Sequence, residues 1–369
     1  MKKIRILTFH YAHNYGAMLQ AYALQKVLSK NEENEVKFID YRKNNIENSY
    51  KIFKPIRKNI PMWFKDNFYS LKHYTSKKLR YDNFNKFLYG KLNLTERVHS
   101  IKELESLSKA DIYITGSDQV WNPNIVMELS DIYTLNFKLE SAKKIAYAAS
   151  VGDVTLIAEK AKEYKNKISN INYISVREND AKIELEKIIN NNIEVVLDPT
   201  LLLSIDDWNN EIKDCANITD EYILAYVVNP DSEYIKIVND LSQKTGLKII
   251  HFGLENPGYN NVFKSAYTEG PLNFINYIKN AKYVVATSFH ATVFSILFKK
   301  KFFIIPHRKT GARVTNILKQ LGIKGRSFSS LEDFKNIDYD FETNWNDVEK
   351  NLENERQKSI KWLTNAIEG

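Results

Sequence analysis

The chain has one cysteine, Cys215, in 369 residues, only eight prolines and twelve glycines, and no uninterrupted apolar run long enough to cross a bilayer. A lone thiol excludes an internal disulfide framework and any paired-cysteine metal motif, which fits a reducing cytoplasm. Scarce glycine and proline exclude collagen-like or low-complexity architecture. The start, Met1 to His10, carries the charge of a secretion signal but too short an apolar run, so none is expected. The longest apolar stretch, 283 to 298, is broken by Thr, Ser and His and falls short of the ~20 residues a spanning helix needs.

Acidic charge is also in short supply, and the deficit is local. The net charge is +8, yet the span from Lys43 to Lys91 alone holds twelve basic residues against three acidic ones. Phe53, Trp63, Phe64, Phe68, Tyr69, Tyr74 and Tyr81 interleave with them. This pattern suits an anionic membrane surface or an anionic, lipid-linked substrate, although no clean apolar stripe stands out and a solvated helical insertion is the simpler expectation. No nucleic-acid-binding motif accompanies the charge, so nucleic acid is not expected as a partner.

What is present is an alternation of short β-branched runs with amphipathic ones. Ile4 to Phe9, Ala17 to Leu28 and Val36 to Ile39 read as strand, helix and strand, and strands at 111–115, 144–149, 173–176 and 195–197 follow. A second alternation runs from Tyr222 to Leu321, and a charged helix occupies 348–367. The expected fold is α/β, with two Rossmann-like domains whose parallel sheets face a cleft and ligands at the carboxyl ends of the strands. The boundaries are 1–200 for the first domain, with a basic aromatic helical insertion at 43–100, and 201–345 for the second. A C-terminal helix at 346–369 is expected to pack back on the first domain.

The chemistry-bearing residues gather at strand ends. In Tyr283 to Phe298 an apolar strand turns into a helix through Thr287 and Ser288, placing His290 where helix N–H groups and the positive dipole end favour an anion. A core histidine bonded to backbone is the competing reading. After the first strand, His10, Asn14, Tyr15 and Gly16 form a loop suited to a ligand; Gly16 permits close approach and Asn14 can cap the helix. His10 and His13 lack a carboxylate or thiol neighbour, so no metal is expected. Ser117, Asp118, Gln119 and Trp121, within Gly116 to Pro123, offer polar groups for sugar hydroxyls and a stacking face. Arg177 could point its fork at an anion, or pair with Glu178 or Asp198. Arg313 follows the strand after the His290 helix, with Arg308 and Lys309 more solvated.

Six motifs in this order resemble the polysaccharide pyruvyltransferase (ketalpyruvyltransferase) family: Asn14–Gly16, Gly116–Pro123, Tyr147–Gly152, Ser175–Glu178, Leu197–Thr200 and Ser288–Ala291. The resemblance spans about 4–322 and implies a glycosyltransferase-B-like pair of domains. It implies transfer of pyruvate from phosphoenolpyruvate onto two sugar hydroxyls as a cyclic ketal, in capsule, exopolysaccharide or cell-wall polymer synthesis. Family members hold phosphoenolpyruvate with arginines and the histidine of an Arg-any-His motif. Here Arg177 and His290 match, but Ser288 stands where the second arginine would be, and Arg313 is the expected replacement. His290 is assigned as acid/base or phosphate ligand. Asp118 is a candidate base on the acceptor side, with His10, Asn14, Tyr15, Gly16, Ser117, Gln119 and Trp121 around the sugar. The first domain then takes the acceptor, a sugar or lipid-linked oligosaccharide, and the second takes phosphoenolpyruvate. No metal or organic cofactor is implied, and the expected location is the cytoplasm, at or near the inner face of the membrane. A nucleotide-sugar glycosyltransferase of the same architecture and a non-catalytic carbohydrate-binding subunit are the rival readings.

Overall fold

The structure is a computed structural model that describes residues 1–369 apart from 57–58, 108, 139–140, 228–230, 307–310 and 329. Arg308 and Lys309 lie outside the described residues. The chain divides into two compact units. The first comprises Met1–Phe68, Asn85–Leu203 and Glu353–Gly369, and the second Tyr69–Phe84 and Ser204–Leu352. The basic segment is therefore shared, since its residues 69–84 cluster with the second unit.

The first unit is built on seven strands: β1 (Lys2–Leu7), β2 (Asn34–Tyr41), β3 (Leu94–Val98), β4 (Ile112–Thr115), β5 (Lys143–Ala149), β6 (Tyr173–Val176) and β7 (Ile193–Val195). They pair in parallel in the order β3-β2-β1-β4-β5-β6-β7. β1, β4 and β5 sit in the middle, and their segments 4–7, 112–115 and 145–149 are buried at every position, as strands covered on both faces are. β3, at the edge, is Leu-Thr-Glu-Arg-Val with an exposed centre, and no sequence alternation announced it. The C-terminal helix Trp345–Glu368 reaches this unit through Ser359, whose Oγ accepts from Leu197 N at 2.9 Å, and Arg356, whose Nε donates to Leu201 O at 2.8 Å.

The second unit has five parallel strands, β8 (Tyr222–Tyr226), β9 (Lys248–His251), β10 (Val262–Ser265), β11 (Tyr283–Ala286) and β12 (Lys301–Ile304), in the order β10-β9-β8-β11-β12. Its core joins Ile223, Ala225, Ile237, Leu241, Val285 and Phe303. Gly246 ends the Ser232–Thr245 helix in the left-handed region at φ +72°, as glycine does at a helix stop. Strand order reverses direction between β1 and β4 in the first sheet and between β8 and β11 in the second. At such a switch the crossovers leave on opposite faces, and the carboxyl ends of the two strands open a crevice.

Candidate functional site

In the second unit the switch point is occupied by the turn from β11. Thr287 N donates to Tyr226 O at 3.2 Å, tying this turn to the end of β8. Ser288 has extended dihedrals at the N-cap, its side chain makes no capping bond, and its carbonyl accepts from Thr292 N at 3.1 Å. The helix runs Phe289–Leu297, so His290 stands in its first turn. Its side chain is largely buried, edge-on to Phe289 with ring centroids 5.2 Å apart. The helix is buried along its whole length, which fixes the first turn and the direction in which its leading N–H groups point. Arg313, half-buried, stands in the first turn of the next helix, Ala312–Gln320, which packs on the His290 helix. Ser288, His290 and Arg313 thus all follow the carboxyl ends of the neighbouring strands β11 and β12.

The first unit gathers a buried polar network at the corresponding edge. Arg177 Nη1 donates to Asp198 Oδ2 at 2.8 Å and its Nε to Glu178 Oε1 at 3.2 Å. Ser117 Oγ donates to the same Asp198 oxygen at 2.9 Å, and Ser150 Oγ to the same Glu178 oxygen at 2.8 Å. Asp198 Oδ1 accepts from both Thr200 N (3.0 Å) and Thr200 Oγ1 (2.6 Å). Thr8 Oγ1 donates to Ser117 O at 2.7 Å, linking the end of β1 to that of β4. Burial opposes the charge on Arg177, but Glu178, Asp198 and Asp118 more than offset it and hold its proton more firmly than water would. Of the two alternatives for Arg177, the structure shows the pairing with Glu178 and Asp198, which takes its Nε and Nη1.

Further expectations on this unit need correction. Trp121 offers no stacking face: it is fully buried and its Nε1 donates to Tyr133 O at 3.0 Å. An indole is too large an apolar surface to leave beside an empty crevice when a core position is within reach. His10 is likewise sealed, its Nδ1 at 3.1 Å from Thr8 O and its Nε2 at 3.4 Å from Asp40 Oδ1, and it stacks on Phe38. Ser117, Tyr15 and Gly16 are buried as well. Asn14 is exposed and caps the Tyr15–Leu28 helix through Ala17 N at 3.2 Å, while Asp118 and Gln119 are half-buried. Asp118 has φ +87° and its Oδ1 accepts from Gln119 N at 2.8 Å, an unusual conformation for an aspartate outside a turn glycine position. It is held because Asp118 O accepts from both Val120 N (2.8 Å) and Ser150 N (3.0 Å).

The sequence reading missed the part played by Ser150 and Thr8, although Ser150 lies inside the Tyr147–Gly152 motif. Their position immediately after β5 and β1 was the available signal. Among the described residues no group of three or more His, Cys, Asp or Glu side chains could hold a metal ion, and no helix is long and apolar enough to cross a membrane.

Solved structures share this architecture at low sequence identity. UDP-GlcNAc 2-epimerase from Neisseria meningitidis superposes with a TM-score of 0.55 at 11% identity, covering 100% of this chain and 99% of that one. The Rickettsia bellii UDP-N-acetylglucosamine 2-epimerase gives 0.53 at 11%, covering 99% and 96%. The Methanocaldococcus jannaschii UDP-GlcNAc 2-epimerase gives 0.50 at 15%, covering 96% and 99%. At such identities the likeness establishes a glycosyltransferase-B-like fold and nothing about substrate. No curated protein sequence matches significantly. The polysaccharide pyruvyl transferase family model, in contrast, matches residues 14–309, a span that contains β2 to β12, the Arg177–Asp198 network and the His290 turn. By that match over most of its length, the chain belongs to the polysaccharide pyruvyl transferase family, whose members are transferases acting on polysaccharide or sugar acceptors.

Proposed function

We propose that this protein transfers pyruvate from phosphoenolpyruvate onto two hydroxyls of a sugar, in a polysaccharide or its lipid-linked precursor, and forms a cyclic ketal. The observation that carries the reading is the position of His290, in the first turn of a buried helix that leaves the switch point of the second sheet. Phosphoenolpyruvate brings a phosphate and a carboxylate, so its site needs N–H and cationic donors in a crevice with little water. The first-turn N–H groups, the Ser288 hydroxyl, the His290 imidazole and the Arg313 guanidinium are the donors assigned to it. Arg177 enters as a positioning residue, holding Glu178 and Asp198 and through them Ser150 and Ser117. On the first unit Asn14, Asp118 and Gln119 are the accessible polar groups offered to acceptor hydroxyls, with Asp118 the carboxylate suited to take a hydroxyl proton.

The chemistry balances without a redox partner or a metal. Protonation of the methylene carbon of phosphoenolpyruvate makes its C2 electrophilic, and one sugar hydroxyl adds there. The C2–O bond to phosphate then breaks, the sugar oxygen stabilises the resulting cation, and the second hydroxyl closes the ring. Of the two hydroxyl protons, one ends on the methyl carbon and one on phosphate. An imidazole can give and take a proton near neutral pH, which suits His290 to the methylene or to the departing phosphate.

The test is thermal melting with phosphoenolpyruvate or with UDP, followed by phosphate release in the presence of acceptor sugars. A ligand that prefers the native state raises the melting temperature, by an amount set by its concentration over Kd. The proposal expects a rise with phosphoenolpyruvate, and phosphate release that His290→Ala abolishes. A rise with UDP alone would instead favour a nucleotide-sugar glycosyltransferase. Retained turnover in His290→Ala would remove His290 from the chemistry.

A further inference from the structure

The helix Ile60–Lys72 is built the wrong way round for an ordinary surface helix. At 100° per residue, Ile60, Phe64, Phe68 and Leu71 fall within roughly one quarter of its circumference. All four are exposed, with Phe64 62%, Phe68 73% and Leu71 63% accessible. The adjoining flank, which carries Trp63, Asn67 and Ser70, faces the protein through polar groups. Trp63 Nε1 and Asn67 Nδ2 both donate to Lys54 O, at 2.8 and 3.2 Å, and Ser70 is fully buried, its Oγ accepting from Lys77 Nζ at 2.9 Å. Lys65 and Lys72 are exposed and lie about 40–60° beyond the edge of the apolar stripe. No clean stripe shows in the sequence by eye; the packing reveals one on the outward side.

We propose that this face docks the protein onto an anionic lipid bilayer surface. A helix with aromatic and aliphatic residues outward and lysines at the margin of the stripe inserts its apolar side to the headgroup boundary while the ammonium groups meet lipid phosphates. Charge selects this occupant. The segment Lys43 to Lys91 carries the whole positive excess of the chain, twelve basic against three acidic residues, while the remainder sums to about neutral. Singly exposed apolar residues are normal, but four in one stripe beside basic residues are not. The surface is independent of the transferase reading, because it uses none of the residues assigned to phosphoenolpyruvate or acceptor.

The experiment is sedimentation of the full chain with phosphatidylcholine vesicles, with and without phosphatidylglycerol, in the absence of substrates. The wild-type protein sediments with the anionic vesicles and is released by high salt. Phe64→Ser/Phe68→Ser/Leu71→Ser binds them roughly 100-fold or more weakly, and Lys65→Glu/Lys72→Glu roughly tenfold or more weakly. Both variants keep the wild-type melting curve, since the altered side chains are exposed, and both keep phosphate release with a soluble acceptor. The proposal is overturned if the wild type stays in the supernatant, if the triple variant binds as well as wild type, or if vesicles without phosphatidylglycerol bind equally. Concentration-dependent self-association that the triple variant abolishes, with no vesicle binding, would assign the face to a second copy of the chain and equally overturn it.

Discussion

Arg177 donates to Asp198 at 2.8 Å with both side chains withdrawn from water, so one cation and one carboxylate join the ends of β6 and β7 into a single buried unit. Because Asp198 also accepts from Ser117 and from Thr200, the pair fixes the loop after β4 and the turn after β7 together. Removing one partner leaves the other charge without its counter-ion in a low-dielectric setting. Asp198→Asn is expected to cost about 3–5 kcal/mol of stability by denaturant unfolding. The double variant Asp198→Asn/Arg177→Met should lose less than the sum of its single variants, a coupling that a double-mutant cycle measures.

Gly152 sits at φ +79°, and a Cβ there would lie 2.2 Å from Gln119 Oε1 and 2.6 Å from Asn122 Nδ2. Those two atoms are bonded to each other at 2.8 Å. Gly152→Ala therefore combines a left-handed backbone cost of roughly 1–2 kcal/mol with disruption of that bond. A total of about 2–3 kcal/mol is expected, together with weaker acceptor binding through displaced Gln119. Acceptor KM and the unfolding midpoint are the measurements.

Asp40 offers a pH-dependent check on the first unit. Burial by itself would raise its carboxyl, but hydrogen bonds and charge from His10 and Arg42 outweigh this and hold it well below the usual carboxylate range. A depressed folded-state value contributes stability that is complete above the unfolded value of about 3.9 and is lost as pH falls below it. Asp40→Asn should thus be less stable than wild type at neutral pH. The gap in melting temperature should narrow as the pH falls below about 4. A gap independent of pH would disprove the linkage.

Arg313 stands in the first turn of the helix that follows the His290 helix. Loss of a charge-assisted pair of hydrogen bonds weakens an anion by roughly 10–100-fold. Arg313→Ala is expected to raise the phosphoenolpyruvate Kd by that factor, measured by calorimetry. Wild-type affinity would exclude Arg313 from the site.

Much of the architecture was legible in order and periodicity. β6, β11 and the helix Ser232–Thr245 fall where the apolar pattern places them, because their burial on two faces or one leaves a clear period. β3 and β10 were not legible, since an exposed edge strand has no apolar alternation to show. The stretch 155–168 forms two helices, Thr155–Glu159 and Ala161–Ile168, which meet at Lys160 with φ −119°. Such a break depends on backbone geometry that residue spacing does not record.

The order of residues alone determined the two alternations of strand and helix, the six motifs at strand ends, and the concentration of positive charge between Lys43 and Lys91, because each is a pattern of neighbours along the chain. Which of those residues meet solvent was decided by tertiary structure. Trp121 and His10 lie in the same loops as Asp118, Gln119 and Asn14, yet only the latter three remain accessible. The apolar stripe of Ile60, Phe64, Phe68 and Leu71 likewise became a surface only when the adjoining polar flank of its helix was bonded inward. Burial depends on what packs across from a residue, and that partner is distant in sequence.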